Sequence, residues 1–396
     1  MSMIFFVRIR YMIFYCDQFD LIFIGVGEED QFETRRGFNN TRTVDDFNWI
    51  FRTFAKAGYA TVYSEDDMNF GTFNYRMNGW ANPPSLWYPK PMWLSRMADY
   101  DLDRLCSAEL NMELLKQFNE MFSGYGRFAF ALTATFCHDD WNTLQNFDAQ
   151  MKDLLKYYKH EGNTIFVLFG DHGSRAGALR ETVQGKMEEQ IPFLSISLPS
   201  WFKNKHPEFY KSMHRNTRRL TTYYDVFAMF RHVLTYPELP KGPEILGQSL
   251  FTDIPLNRTC ASVGIKNHIC SCFNYQNVLP NDKEAVMVTN AIINYMNQLF
   301  SFLNNKQKTC ALLELKEIKS AGVNIPNNKD SGEKLKNYQI VFIVKPSNGK
   351  FEANANLMAD GKVKVDPYIS RINMYGDQPK CIATTFPHLR AYCLCV

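Results

Sequence analysis

The sequence predicts an α/β fold for its first part and a smaller, cysteine-rich α+β module for the remainder. Residues 128–136 and 164–169 are mostly apolar runs, as expected for strands buried on both faces of a sheet. An amphipathic helix pattern separates them, and the order strand, helix, strand predicts a parallel βαβ unit. Seven of the ten cysteines lie from Cys260 onward. We therefore expect one domain over residues 1–255 and a second over residues 256–396.

Composition excludes several classes of protein. The chain has 396 residues, of which 45% are hydrophobic and 21% charged, so wholesale disorder, collagen-like repetition and coiled coil are excluded. The formal net charge of +3 is too balanced for a strongly basic nucleic-acid-binding face, so we expect no nucleic-acid partner. No stretch reaches the ~18 apolar residues that a membrane-spanning helix needs.

The first predicted elements alternate between helix and strand. Apolar residues at positions 47, 50, 51 and 54 share one face of a helix predicted over residues 45–58, and Gly58 is placed to end it. Residues 59–64 then predict a short buried strand. Four prolines between residues 82 and 91 predict an irregular surface segment, and residues 110–122 predict the next helix.

The later elements follow from the same periodicities. Helical patterns recur at residues 141–158, 221–234 and 284–303, and residues 191–198 predict another strand. Near the C-terminus, strand patterns are separated by polar turns with no long helix between them, so an antiparallel sheet is expected there. These strand patterns cover residues 312–318, 340–345 and 351–357.

The clustered cysteines favour disulfides over a zinc site. Their close pairs are spaced C-x-C, whereas structural zinc sites usually use C-x2-C. A cysteine-rich zinc site stays open as the alternative, and the spacing does not reveal which cysteines pair. Disulfides imply an oxidising compartment. We expect seven oxidised cysteines: Cys260, Cys270, Cys272, Cys310, Cys381, Cys393 and Cys395.

Two N-glycosylation sequons, at Asn39 and Asn257, agree with secretion. A leader peptide is not visible, because Arg8 and Arg10 interrupt the apolar N-terminal stretch and no cleavage site follows it. We therefore expect an extracellular protein whose true N-terminus precedes this chain.

Asp171 and His172 are the residues best placed for chemistry. They follow the second apolar run directly, and open α/β sheets bind ligands at the carboxyl ends of their strands. A carboxylate oxygen and an imidazole nitrogen can bind one divalent cation, which in two-metal hydrolases stabilises an attacking or leaving oxygen. The alternative is that Asp171 caps the following segment and His172 packs in the core. The position at a strand end favours the ligand role.

Other polar residues surround this pair in the predicted sheet. His138 follows the preceding strand of the same parallel unit, so its loop should lie beside that of Asp171. Arg175 and Arg180 fall in a polar loop before the next strand, where two arginines could clamp a phosphate or sulfate oxyanion. Equally, they could pair with Glu181, Glu188 or Glu189 to hold the loop.

The stretch over residues 163–199 resembles the DUF229 family, a nematode- and insect-rich family of secreted proteins of unknown function in the alkaline-phosphatase-like and sulfatase-like superfamily. The resemblance covers nearly all of the chain from about residue 24 onward. It implies a three-layer α/β/α domain with a cysteine-rich C-terminal module, in an exported protein. Similar segments recur in the family's order at residues 56–61, 65–66, 138–142, 216–222, 249–251, 258–260, 270–272 and 392–395.

The resemblance also implies a site. Asp171 and His172 match superfamily ligands of a divalent cation, zinc or calcium, and His138 matches a histidine in or beside the site. The superfamily's first metal-binding aspartate and its nucleophile would precede this chain, and nothing in residues 1–30 replaces them. The family's proline-rich motif is altered at residues 85–87. A further histidine ligand is usual, for which composition alone offers His206, His214 and His232.

Together these observations predict a secreted, truncated or degenerate hydrolase of phosphate or sulfate esters with little or no activity. Its substrate would be an anionic ester. A single Asp–His pair is a poor metal site, because zinc takes three or four protein ligands. The alternative is a non-enzymatic extracellular binding protein that retains the fold and binds a partner.

Overall fold

The computed structural model describes residues 2–8, 22–26, 31–36, 38, 40–67, 71–74, 77–97, 104–134, 141–173, 178–180, 182–241, 246–304, 309–324 and 336–396. The chain forms two compact units, which are described separately. The first comprises residues 1–174 and 191–264, and the second comprises residues 175–190 and 265–396. The segment over residues 175–190 thus belongs to the second unit, although the sequence suggested a boundary near residue 255.

The described helices have between 4 and 18 residues. In chain order they are α1 Ile50–Lys56, α2 Lys90–Met97, α3 Arg104–Met121, α4 Asp148–His160, α5 Val183–Gln190, α6 Ser200–Lys205, α7 Pro207–Asn216, α8 Tyr223–Thr235, α9 Lys283–Leu299 and α10 Ser301–Asn304. A 3-10 segment, Trp141–Phe147, precedes α4, where one continuous helix was predicted. In the part of the chain that the structure describes, no helix combines the length and apolar character needed to cross a bilayer.

The first unit contains a five-stranded sheet. Its strands are β1 Ser2–Arg8, β2 Ala60–Glu65, β3 Arg127–Thr133, β4 Thr164–Gly170 and β5 Leu194–Ser197, in the spatial order β2-β3-β1-β4-β5. The first four are parallel, and β5 is antiparallel to β4 at the edge. The parallel α/β arrangement expected from the two apolar runs is therefore present.

The strand β1 was not predicted, and it changes the expected neighbours. It pairs on one side with β3 and on the other with β4, so that Arg8 lies opposite both Thr133 and Gly170. The two strands predicted to be adjacent are therefore second neighbours. Since paired strands lie ~4.8 Å apart, their carboxyl ends are separated by ~10 Å instead of ~5 Å.

Helices cover both faces of this sheet. Phe128 and Phe130 of β3 face one apolar core with α1 and α8, where the ring of Phe128 lies 5.0 Å from Phe51 and 5.8 Å from Phe230. The alternate residues Ala129 and Ala131 face a second core with α3 and α4. Strands buried on both faces explain why the runs were continuously apolar. Many of the protein's aromatic side chains are packed in these two cores.

A buried ion pair fixes α8 to the chain that follows it. Asp225, fully buried in the first turn of α8, accepts two hydrogen bonds of 2.8 Å from the guanidinium of Arg258. The same carboxylate accepts from the backbone N–H groups of Thr222 and Gln248, both at 2.7 Å. Arg258 also donates to the carbonyl of Leu220 at 3.1 Å. Both oxygens of the Asp225 carboxylate accept hydrogen bonds. These bonds offset the free-energy cost of removing the ion pair from water.

The second unit is an antiparallel sheet covered by α9. Its strands are β6 Gln276–Val278, β7 Glu314–Asn324, β8 Lys336–Lys345, β9 Lys350–Leu357 and β10 Val363–Arg371, in the spatial order β10-β9-β8-β7-β6. The antiparallel sheet was expected, whereas β6 and β10 were not. Asp282 caps α9 by accepting from the Ala285 N–H at 3.0 Å. Its apolar face packs on the sheet through Val288, Ile292 and Met296.

Two disulfides join the C-terminal segment, residues 392–396, to earlier residues of the second unit. They link Cys310 to Cys393 and Cys381 to Cys395. Cys260 and Cys270 are also disulfide-bonded. Cys272, in contrast, is an exposed free thiol, so the expectation that all seven of these cysteines are oxidised was wrong for this residue.

Replacing Arg258 by Gln should lower the free energy of unfolding of the first unit by about 3–5 kcal/mol, because Asp225 would be left as a buried, uncompensated charge. Urea unfolding followed by hydrogen exchange in α8 measures this loss. The control is Arg215→Gln, which removes an equally short pair with Asp253 (2.8 Å) on the exposed surface and should cost much less. Equal losses for the two variants would contradict the assignment.

Candidate functional site

The Asp171–His172 pair lies at the carboxyl end of the parallel sheet. Both residues follow β4 directly, and their exposed fractions are 3% and 7%. Both side chains are therefore buried, although they follow the end of a strand. A carboxyl group and an imidazole that are both withdrawn from water need compensating partners.

The hydrogen bonds of His172 determine which ring nitrogen carries a proton. Its Nδ1 lies 2.6 Å from the carbonyl oxygen of Gly173, and a carbonyl can only accept, so Nδ1 carries the hydrogen. The other nitrogen, Nε2, lies 3.3 Å from Oδ2 of Asp171. A neutral His172 would therefore direct the lone pair of Nε2 at a carboxylate oxygen. A proton on Nε2 or a cation between the two atoms would make this contact favourable.

The separation of these two atoms is compatible with coordination of one metal ion. Charge-assisted N–H···O bonds are usually ~2.7–2.9 Å long. Two ligands bound at ~2.0–2.2 Å to a tetrahedral zinc ion lie ~3.3 Å apart, and Nε2 of His172 and Oδ2 of Asp171 are 3.3 Å apart. The other oxygen of Asp171 accepts from the His172 backbone N–H at 2.9 Å. This bond is the local capping role considered as the alternative, and it leaves Oδ2 directed at the imidazole.

The structure adds Tyr223, which no sequence signal indicated. Its hydroxyl donates to the carbonyl of Gly170, the residue immediately before Asp171. Burial and, secondarily, the charge of Asp171 raise the pKa of Tyr223 well above its usual value. The residue lies far along the chain, at the start of α8, and only the packing of α8 on the sheet brings it to the site.

Two further carboxylates lie at the same edge of the sheet, at the end of β2. Glu65 accepts from the Tyr63 hydroxyl at 3.0 Å and from the Thr72 N–H at 2.8 Å, and burial raises its pKa. Asp66 accepts from the Ala134 N–H at 2.7 Å. These bonds connect the end of β2 to Thr72, later in the chain, and to Ala134, which follows β3. The segment Glu65-Asp66, which resembles a segment of the family, therefore has a structural role.

His138 and Arg175 fall outside the described residues, as does Asn39. Their predicted roles at the site, and the predicted proximity of His138 to His172, therefore stay predictions. Asn257 is described and is exposed.

Arg180 is not placed to bind a substrate. Its side chain is buried in the second unit and forms ion pairs with Glu189 and, at 3.2 Å, with Glu352 of β9. Burial alone would lower the pKa of Arg180, but the two carboxylates outweigh it and raise the pKa. The alternative, in which this arginine holds its own segment by pairing with glutamate, is the arrangement found. The segment also contains α5, where a loop was expected.

Two of the other three candidate histidines have side-chain partners of their own. His232 contacts the Ser249 hydroxyl at 2.9 Å, and burial lowers its pKa. His206 lies beside Glu208, and His214 is exposed. Within the described ranges, the groups of three or more potential metal ligands consist of cysteines, and none includes Asp171 or His172. The described residues thus supply two donors, fewer than zinc needs, and a third ligand would have to come from elsewhere.

A family model described as a protein of unknown function (DUF229) matches residues 21–319. No curated protein matches the sequence significantly. The family match covers Asp171, His172 and α5, and it ends within β7 of the second unit.

The Glu352 network should make the second unit sensitive to acid. Burial raises the pKa of Glu352, but Arg180 and Lys186, which pairs with it at 3.1 Å, together lower it below the usual range. The stabilisation is therefore present at neutral pH and is lost as the pH falls through this lowered pKa. We expect Glu352→Gln to destabilise the unit at neutral pH by about 3–5 kcal/mol and to flatten its acid dependence.

Hydrogen exchange of the β8 and β9 amides between neutral and acidic pH measures both effects. The control is Glu314→Gln, which removes an exposed pair with Lys345 at 2.9 Å in the same unit. Its stability should change little at any pH. An unchanged acid dependence in Glu352→Gln would show that another group controls acid unfolding.

Proposed function

The chain belongs to the DUF229 family, and we propose that it is a degenerate member of the alkaline-phosphatase-like and sulfatase-like hydrolases, secreted and weakly active or inactive. Its ancestral chemistry would be metal-assisted hydrolysis of a phosphate or sulfate ester. The observation that carries the proposal is the buried Asp171–His172 pair at the carboxyl end of β4, with 3.3 Å between Nε2 and Oδ2.

In this proposal each residue of the site has a distinct role. Asp171 and His172 bind a divalent cation, zinc or calcium, which would supply a positive charge to polarise the ester. The bond from Nδ1 of His172 to Gly173 fixes the ring so that Nε2 faces the metal. Tyr223 holds the Gly170 carbonyl and so orients the turn that carries both ligands. His138 completes the ligand set or binds the substrate's oxyanion, and Arg175 attracts its negative charge.

Low activity is expected for a physical reason. A two-donor site binds zinc poorly compared with the usual three or four ligands. Arg180, which could have bound the oxyanion, is instead neutralised by Glu189 and Glu352. Residues of a hydrolytic site act as a unit, so the loss of one commonly costs several orders of magnitude in rate.

The second candidate function is non-enzymatic extracellular binding. The commitment of Arg180 to internal ion pairs favours it, because a retained fold with a reduced anion site is what such a protein would keep. The two candidates differ in one measurable property, which is whether the Asp171–His172 pair binds metal.

Metal analysis and zinc titration of the purified chain, with a screen of aryl phosphate and aryl sulfate esters, should show a bound divalent cation, with slow turnover or none. Asp171→Asn keeps the shape of the side chain but removes its charge. It should weaken metal binding at least ~10–100-fold, the loss typical even of outer-shell partners, and abolish any turnover. The control Asp153→Asn alters an exposed carboxylate of α4 that pairs with Lys156 at 3.1 Å and should change neither.

Absence of both metal and turnover from the unaltered chain would favour the binding function. Metal binding that survives in Asp171→Asn would place the cation elsewhere and defeat the assignment of the site. Circular dichroism of each variant confirms that the fold is retained.

Secretion is supported by the disulfides of the second unit and by the exposure of Asn257. In a eukaryotic secretory host, Asn257 should carry a glycan that mass spectrometry detects as a glycosidase-sensitive mass. Thr259→Ala should remove this glycan, whereas Thr259→Ser, which preserves the sequon, should retain it. A chain that remains unmodified at Asn257 after secretion would oppose the glycosylation assignment.

A further inference from the structure

Four cysteines of the second unit bring their sulfur atoms to one place. Cys310 is bonded to Cys393, and Cys381 to Cys395. The sulfur atoms of Cys381, Cys393 and Cys395 all lie within 4.8 Å of one another. The fourth sulfur, that of Cys310, is adjacent through its bond to Cys393. The two disulfides are therefore neighbours, and their four sulfur atoms form a single cluster.

Backbone hydrogen bonds hold the segments of this cluster together in addition to the disulfides. Cys310 and Cys395 form an antiparallel bridge, and the Ala311 N–H donates to the carbonyl of Leu394 at 2.8 Å. The Cys395 N–H donates to the carbonyl of Gln378 at 2.9 Å. Cys393 is fully buried within the apolar core of the unit. The segments should thus stay close if the sulfur–sulfur bonds open.

Three sulfur atoms of the cluster, those of Cys381, Cys393 and Cys395, lie within 4.8 Å of one another. With Zn–S bonds of ~2.3 Å in tetrahedral geometry, the sulfur atoms of a tetrathiolate site are ~3.8 Å apart. These three sulfur atoms are therefore near the required spacing, and Cys310, bonded to Cys393, is the candidate fourth ligand once the disulfides open. In addition, the Cys381 N–H points at Sγ of Cys395 with a distance of 3.0 Å. Backbone amides directed at sulfur favour the thiolate form, which is the form that binds metal.

We propose that Cys310, Cys381, Cys393 and Cys395 form a zinc site when the chain is reduced, so that the C-terminal segment is held either by two disulfides or by one metal ion. Each disulfide takes two electrons and two protons from a dithiol reductant, which itself becomes a disulfide, and yields two thiols. Binding of Zn²⁺ then releases the four thiol protons as the thiolates coordinate the ion.

The disulfide-bonded and zinc-bound states exclude each other, because a sulfur atom in a disulfide is not a thiolate and does not bind zinc. Zinc should therefore protect these cysteines from oxidation, and oxidation should expel zinc. This proposed zinc site shares no ligand with the proposed site at Asp171 and His172.

The test uses the full chain, reduced with a dithiol, freed of reductant under anaerobic conditions and titrated with Co²⁺ as a spectroscopic substitute for Zn²⁺. One ion per chain should bind with the intense thiolate-to-cobalt charge-transfer absorption of tetrahedral thiolate coordination, and Zn²⁺ should displace it. The oxidised chain should lack this absorption. Cobalt bound at Asp171 and His172 would give no such band, so failure of either proposal is distinguishable.

Cys381→Ser should weaken binding to the reduced chain at least ~100-fold, because it removes a direct ligand. The matched control is Cys272→Ser, which alters the exposed free thiol and should leave binding unchanged. Absence of the thiolate band in the reduced chain would overturn the proposal. So would a band that Cys272→Ser removes and Cys381→Ser retains. Hydrogen exchange of β8 and β9 in the reduced chain should slow when Zn²⁺ binds, and an exchange rate that zinc leaves unchanged would also contradict the proposal.

Discussion

The pairing of β1 with both β3 and β4 is the interaction on which the first unit depends. Among the described strands, β1 alone joins the β2–β3 pair to the β4–β5 pair through backbone hydrogen bonds. Without it, two strands that are apolar on both faces would each expose an unpaired edge in the middle of the molecule, which is costly for buried backbone groups. The same pairing aligns Thr133, Arg8 and Gly170 at one edge. The candidate site therefore depends on a strand that contributes no predicted site residue.

Three buried sets of charged or titratable side chains show how this protein compensates charge. Asp225 is matched by Arg258 and by backbone donors, and Glu352 is matched by Arg180 and Lys186. Both sets pair a carboxylate with permanently positive groups, which is the arrangement of a structural ion pair. Asp171 instead faces an imidazole whose Nδ1 proton is already committed to a carbonyl. This difference distinguishes Asp171 and His172, the candidate functional site, from the other two sets.

Much of the fold could be predicted because buried strands and amphipathic helices leave strong local patterns. The runs that became β3 and β4 were recognised, and the position of Asp171 and His172 at a strand end followed from them. The strand β1 was not recognised, although it is as long as β3 and β4, because it lies in an apolar N-terminal stretch with arginines at positions 8 and 10 and no clear strand pattern. Likewise α5 exposes Val183 and Met187, while Arg180 just before the helix is buried, which is the reverse of the usual amphipathic pattern.

The sequence alone determined the parts of this protein that rest on local periodicity and on residue chemistry: the class of fold, the antiparallel second sheet, the oxidised tail and the Asp–His pair at the end of an apolar strand. Only the tertiary structure decided which strands are neighbours, that Cys272 is a free thiol, that Tyr223 contacts the carbonyl before Asp171, and that Arg180 pairs with a glutamate 172 residues away. Those outcomes depend on contacts between distant segments. Such contacts are chosen by the packing of whole faces and by the matching of buried charges, and neither leaves a periodic trace in the chain.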